Sequence, residues 1–216
     1  ATIASRRIPI SAAANRNSVR YVEQHRAGTG TVWGALFGTR AQTWADTWEG
    51  PEGWGAGVYE HVLHRADVGP GTAVLDCGCG AGRFVRLAAD RGAAVAGIDA
   101  ASELIEIAAS RTPEADLRTG DFVSLPWADG SFDLVTGFST FQFAGDHVRA
   151  LAEARRVSRG DVWVVVPTRL AESAIPRVFT PLMTLFPPEV LPSLKDSGMF
   201  ALSAPGKLDE VLALAG

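Results

Sequence analysis

Thr72-Ala73-Val74-Leu75-Asp76-Cys77-Gly78-Cys79-Gly80-Ala81-Gly82 is the stretch that decides the fold. Its first half is apolar and β-branched, which is strand composition. Its second half puts glycine at every other position, which breaks the strand into a tight turn. Residues 83–91 then carry Phe84, Leu87 and Ala88 at helical spacing and stop at Gly92. A strand therefore runs through a glycine-rich turn straight into a helix.

The same alternation repeats downstream. Residues 93–98 form a second strand closed by Asp99. Ser102 is expected to cap a helix through Ser110, with Leu104, Ile105 and Ala108 on one face. Residues 115–119 make a weaker third strand, and 128–131 (Ala-Asp-Gly-Ser) a turn. Residues 132–138 (FDLVTGF) are a fourth strand and 146–157 a helix. Residues 162–166 (VWVVV) are a fifth strand, stopped by Pro167. The strands are nearly unbroken apolar runs, as strands buried on both faces are. The fold class is α/β: a doubly wound, mostly parallel, Rossmann-like sheet. Ligands of such sheets bind beyond the carboxyl ends of the strands. The polar and glycine residues at 76–82, 99, 120–121 and 137–139 all fall there.

Outward from this core, residues 1–68 are an N-terminal arm and a Trp-rich helical cap. Residues 69–167 are the α/β core, and 168–216 a proline-interrupted, apolar capping segment. With 216 residues the three make a single domain. The first 18 residues lack the apolar stretch of a signal peptide and are expected to be a disordered or strapped-down arm. No apolar run is long enough for a membrane helix, so no membrane partner is expected. The net charge of −4 lacks the basic excess of a nucleic-acid binder. Two cysteines, Cys77 and Cys79, make no disulfide framework, so the expected compartment is the cytoplasm. The alanine richness, with Lys195 and Lys207 the only lysines, points to a high-GC bacterial genome.

The turn spacing is G-x-G-x-G. A dinucleotide fingerprint needs G-x-G-x-x-G, and its third glycine would fall on Arg83. Asp76, just before the turn, suits a cationic ligand better than a pyrophosphate. Asp99 ends the second strand, where a carboxylate accepts ribose hydroxyls; the alternative is a helix cap. Asp121 could accept an adenine amino group with Phe122 beside the ring, or be a loop aspartate. Cys77 and Cys79 lack a second ligand pair and read as small turn residues, so no metal site is expected.

The runs VLDCGCGAGR (74–83), GIDA (97–100) and GDFVSLPWADGSFDLVTGF (120–138) resemble class I S-adenosylmethionine-dependent methyltransferases, closest to the UbiE-like small-molecule kind. The resemblance covers about residues 40 to 167 and implies S-adenosylmethionine as cofactor, with S-adenosylhomocysteine as product. By resemblance, Asp76 and Gly78 line the methionine part, and Gly80 and Gly82 allow close approach. Asp99 holds the ribose with Ala100 beside it, Asp121 and Phe122 frame the adenine, and Gly137 and Phe138 offer backbone to the methionine end. The implied activity is in-line methyl transfer to a small apolar or aromatic acceptor. The alternatives are an NAD(P)-dependent oxidoreductase, disfavoured by Arg83 and Asp76, and a catalytically silent subunit that binds the cofactor.

Two departures from the family stand out. Residues 157–161 give a shorter loop than the usual Arg-Pro-Gly-Gly turn. The family's final strand pair is missing, which would leave VWVVV as a bare edge. A longer natural chain or a covering partner, including a homo-oligomer, is therefore expected. A general base is needed only if the acceptor arrives protonated. Tyr21, His25, His61, His64 and His147 are the candidates, and His147 is nearest in sequence to the crevice. Trp44 and Trp48 share a helical face, as a satellite core or as a lid over the sulfonium. Phe179 and Met183, with Trp44, are expected to line the acceptor pocket.

Overall fold

The computed structural model describes residues 3–8, 29–53, 55–167, 198 and 201–216. In chain order the elements are β1 (Ile3–Ile8), α1 (Thr29–Gly38), α2 (Ala41–Thr47), α3 (Ala56–Arg65), β2 (Ala73–Cys77), α4 (Arg83–Ala89), β3 (Ala94–Asp99), α5 (Ser102–Arg111) and β4 (Asp116–Thr119). They continue with β5 (Phe132–Phe138), a 3-10 turn (Phe141–Phe143), α6 (His147–Val157), β6 (Ser158–Pro167) and α7 (Lys207–Ala215).

The strands form one sheet in the order β1-β6-β5-β2-β3-β4. β2 to β6 pair in parallel, as the apolar runs predict. The last four residues of β2 are all buried, as are four successive residues in β3 and in β5. Both faces are covered, so no polar alternation is possible. Against one face pack α6 and α7, through Leu151, Ala154, Leu208 and Val211, with Phe141 and Leu202. Against the other pack α3 and α4, through Val62, Leu63, Phe84, Val85 and Ala88. Each fully buried Leu, Val or Phe contributes about 1.5–3 kcal/mol. After β2 the chain builds outward to β3 and β4, then returns to place β5 on the other side of β2. The order reverses between β2 and β5, so the crevice opens at their carboxyl ends.

Three expectations are corrected. Ser102 is not a cap: α5 begins at Ser102, and Ala101 at the N-cap makes no side-chain bond. The segment 158–161 is strand rather than loop, because β6 starts at Ser158 and the β5–β6 register shifts between Phe132 and Leu134. Gly160 fits there for a steric reason, since a Cβ on it would lie 2.1 Å from the Asp133 carbonyl oxygen. The edge of β6 is not bare: β1 runs antiparallel along it, from Ile3 opposite Pro167 to Ile8 opposite Val162. The N-terminal arm is strapped down over those residues, and at this edge the ground for expecting a covering partner is gone.

Candidate functional site

Beyond β2 the chain must leave the sheet and enter α4 within a few residues. Gly78 and Gly80 make this possible with φ of +66° and +56°. The turn is pinned to its neighbour, because the Ile98 carbonyl accepts from both Gly78 N and Cys79 N. A Cβ on Gly78 would meet Thr140, and one on Gly80 would meet Glu49. These two glycines form the floor of a crevice.

The crevice is lined by Asp76, Gly78, Cys79 and Gly80 from the first turn, and by Asp99 and Ala100 from the end of β3. Phe138, Ser139 and Thr140 follow from the end of β5, and Phe122 from the loop after β4. Trp33 and Phe37 of α1, Trp44 of α2 and Phe143 of the 3-10 turn roof it. Their rings pack edge-on, Trp33 on Phe143 at 4.8 Å and Phe37 on Trp44 at 5.2 Å between centroids. Tyr59 closes the far side, edge-on to Phe138 at 4.7 Å.

Among the described residues, three carboxylates face this space and no basic side chain lines it. Asp76 is buried and accepts a hydrogen bond from the Thr136 hydroxyl at 2.7 Å. Burial, reinforced by the charges of Glu49 and Asp99, pushes its carboxyl up to about 8 despite the Thr136 bond. Asp99 accepts from Gly80 N and from Ala101 N, each at 2.9 Å. Burial raises its carboxyl too, and those backbone bonds oppose the rise. Glu49 behaves alike: burial raises it, and its donors hold it down. Burial also pushes up the Tyr59 phenol and the Cys77 and Cys79 thiols. Ser139 stands in the left-handed region at φ +52°, and its buried hydroxyl has no partner among the described residues. A strained residue with an orphan donor at a crevice wall is a place for a ligand atom.

Of the sequence-predicted site residues, Asp76, Gly78, Gly80, Asp99, Ala100, Phe122, Phe138 and Trp44 line the crevice together. Gly82, Gly137 and Asp121 do not. Gly82 lets α4 pack on Ala108, and Gly137 faces the Phe141 ring. Asp121 bonds the Val123 amide at 3.1 Å and abuts Gly30 of α1. His147 lies at the start of α6 with Nε2 3.3 Å from the Gln142 carbonyl, outside the lining. His61 and His64 are exposed on α3. Tyr21, His25, Phe179 and Met183 lie outside the described residues. Ser139, placed here by the strand-end argument, and Tyr59, at the end of the Trp-rich segment, also line the crevice, whereas Glu49, Thr140, Trp33, Phe37 and Phe143 were missed. None belongs to a motif.

Among the described residues no cluster of His, Cys, Asp and Glu could hold a metal, and no helix is long and apolar enough to cross a membrane. Residues 75–166 match the methyltransferase domain family. A Mycolicibacterium smegmatis protein named "Probable S-adenosylmethionine-dependent methyltransferase" is 35% identical over 118 residues, 54% of this chain and 45% of its own length. The demethylmenaquinone methyltransferase of Renibacterium salmoninarum is 33% identical over 125 residues, 58% of this chain and 51% of its own. The chain thus spans about half the length of these curated relatives. Among solved structures, the [4+2]-cyclase SpnF shares the fold, with TM-score 0.56 and 24% identity over 64% of this chain and 60% of that one. Residues 75–166, a little under half of this chain, are therefore similar to a methyltransferase domain.

Proposed function

We propose that this protein transfers a methyl group from S-adenosylmethionine to a small apolar or aromatic acceptor in the bacterial cytoplasm. The observation that carries this is the crevice, with three carboxylates, an aromatic roof and, among the described residues, no basic lining residue. Such a lining suits a cationic sulfonium and opposes a pyrophosphate. Arg83 adds to the case against a dinucleotide. It stands where the third fingerprint glycine would be, and its guanidinium is bonded to the carbonyls of Glu49, Gly50 and Pro51.

The chemistry the cofactor would supply when bound is an activated methyl carbon open to displacement by an acceptor's lone pair, with the carbon–sulfur electron pair leaving on sulfur. The chain's task is to hold both partners in line and keep water out. Asp76, Gly78 and Gly80 would face the methionine part, Gly137 and Phe138 its other side, and Ser139 would spend its free hydroxyl there or on the acceptor. Asp99 and Ala100 would take the ribose, Phe122 the adenine, and Asp121 would reach the adenine amino group only if α1 shifts away from it. Gly82 would serve through close packing of α4. Trp33, Phe37, Trp44 and Phe143 would form the acceptor-side roof. His147 would act as base only for an acceptor that arrives protonated, with its proton released to solvent.

Calorimetric titration with S-adenosylhomocysteine, with NADH as control, tests the cofactor. Binding of the former alone supports the reading, and binding of NADH overturns it. Transfer of labelled methyl to a panel of phenols and quinols then tests the acceptor class; transfer only to peptides or nucleic acid overturns it.

A further inference from the structure

Glu49 sits in no motif, 27 positions before Asp76, yet it is the best-held carboxylate of the crevice. Its side chain is 5% exposed. Oε1 accepts from Trp44 Nε1 and from Ala81 N, both at 2.8 Å. Oε2 accepts from Arg83 N at 3.0 Å, with Arg111 Nη1 at 3.4 Å. A Cβ on Gly80 would fall 2.1 Å from Oε1. The carboxylate therefore lies flat against the glycine turn.

Two arginines tie its surroundings to the core. Arg83 Nη1 donates to the Glu49 carbonyl and Arg83 Nη2 to that of Pro51, each at 3.0 Å. Arg111 donates to the carbonyls of Ala81 and Ala45, also at 3.0 Å each. The turn, the end of α5 and the end of α2 meet on this one side chain. Its partners are all donors, which favours the ionised form. Asp76 differs, with a single hydroxyl donor to Oδ1. Glu49 faces the crevice, while Arg111 lies behind it, outside the lining. Neutralising Glu49 would leave the Arg111 charge uncompensated and make the crevice less hospitable to a cation.

We infer that Glu49 is a positioning residue for the methyl donor: it locks the glycine turn in shape and supplies the fixed negative charge that favours the sulfonium cofactor over its neutral thioether product. The inference rests on the cofactor reading above. The dissociation constants of S-adenosylmethionine and S-adenosylhomocysteine are measured by calorimetry for the wild type, Glu49→Gln and Glu49→Asp, with melting curves to verify folding. Glu49→Gln should weaken S-adenosylmethionine about tenfold more than S-adenosylhomocysteine, a difference of about 1.4 kcal/mol. Glu49→Asp keeps the charge on a shorter arm, so it should weaken both ligands while leaving their ratio near that of the wild type. A purely structural role predicts equal losses for the two ligands in Glu49→Gln, and that result, or no loss at all, overturns the inference. If Glu49→Gln does not fold, Glu49→Ala takes its place: a greater loss for S-adenosylmethionine than for S-adenosylhomocysteine supports the inference, and equal losses overturn it. A wild-type chain that binds neither ligand overturns the cofactor reading and this inference together.

Discussion

Asp76→Asn should make the ligand-free protein more stable at alkaline pH. Asp76 is 3% exposed, and burial moves its carboxyl from 3.8 to about 8. A carboxyl raised in the folded state binds its proton more tightly there than in the unfolded chain. Its stabilising effect is full below about pH 4 and is lost as pH rises through about 8. Each pH unit across that window weakens the fold by up to ~1.4 kcal/mol. Glu49 and Asp99 share the penalty, because they repel Asp76 and are raised with it. Assigning roughly half the window to Asp76 alone gives ~2–3 kcal/mol between about pH 5 and pH 8.5. Asparagine keeps an oxygen for the Thr136 hydroxyl and carries no charge. In a domain of this size ~1 kcal/mol moves the midpoint by about 2–4 °C. Asp76→Asn should therefore melt about 5–10 °C above the wild type near pH 8.5 and within about 2 °C of it near pH 5. The assay is thermal denaturation followed by circular dichroism across that range, without ligand. The reasoning fails if the two proteins keep a constant gap at every pH, or if the variant melts lower near pH 8.5.

Three further outcomes follow from particular contacts. Gly80→Ala must hold φ near +56° and push the Glu49 carboxylate aside, so it should weaken S-adenosylhomocysteine at least about tenfold by calorimetry; near-native binding would show that the turn tolerates a side chain. Removal of residues 1–8 strips β1 from β6 and should yield a chain that aggregates by light scattering, because a long apolar strand edge is left open. Cys77 and Cys79 are buried with their thiols pushed up, so iodoacetamide at neutral pH should label neither until urea unfolds the chain, as read by mass spectrometry.

The core was legible because its signals are local. β2, the turn and α4 follow one another within 18 residues, and burial on both faces writes itself as consecutive apolar residues. The crevice residues at strand ends were legible for the same reason, since the topology alone sends residues 76–80, 99–100 and 138 to one edge. The errors mark where local signals stop. Ser102 looks like a cap by residue type, but Asp99 already accepts from the Ala101 amide, so the turn before α5 is made by a residue three positions earlier. Residues 158–161 look like a loop because Gly160 interrupts the apolar run. The strand continues through it because β5 comes too close for any Cβ.

The N-terminal third shows the deeper limit. It holds no motif, and yet it completes the sheet and the site. β1 reaches β6 across about 155 residues of sequence, and Glu49 reaches Ala81 and Arg83 across more than 30. Neither contact has a spacing that a linear pattern can carry, because each depends on where the core has already placed its partner. Arg83 illustrates how such contacts are encoded. In the linear pattern it is only a failed glycine, a reason to reject a dinucleotide. In the folded chain that same side chain holds the carbonyls of residues 49–51 against the turn. The departure from one fingerprint thus serves another site: the third fingerprint glycine allows close packing of helix on strand, and the long side chain that replaces it here instead anchors the segment that delivers a carboxylate to the turn.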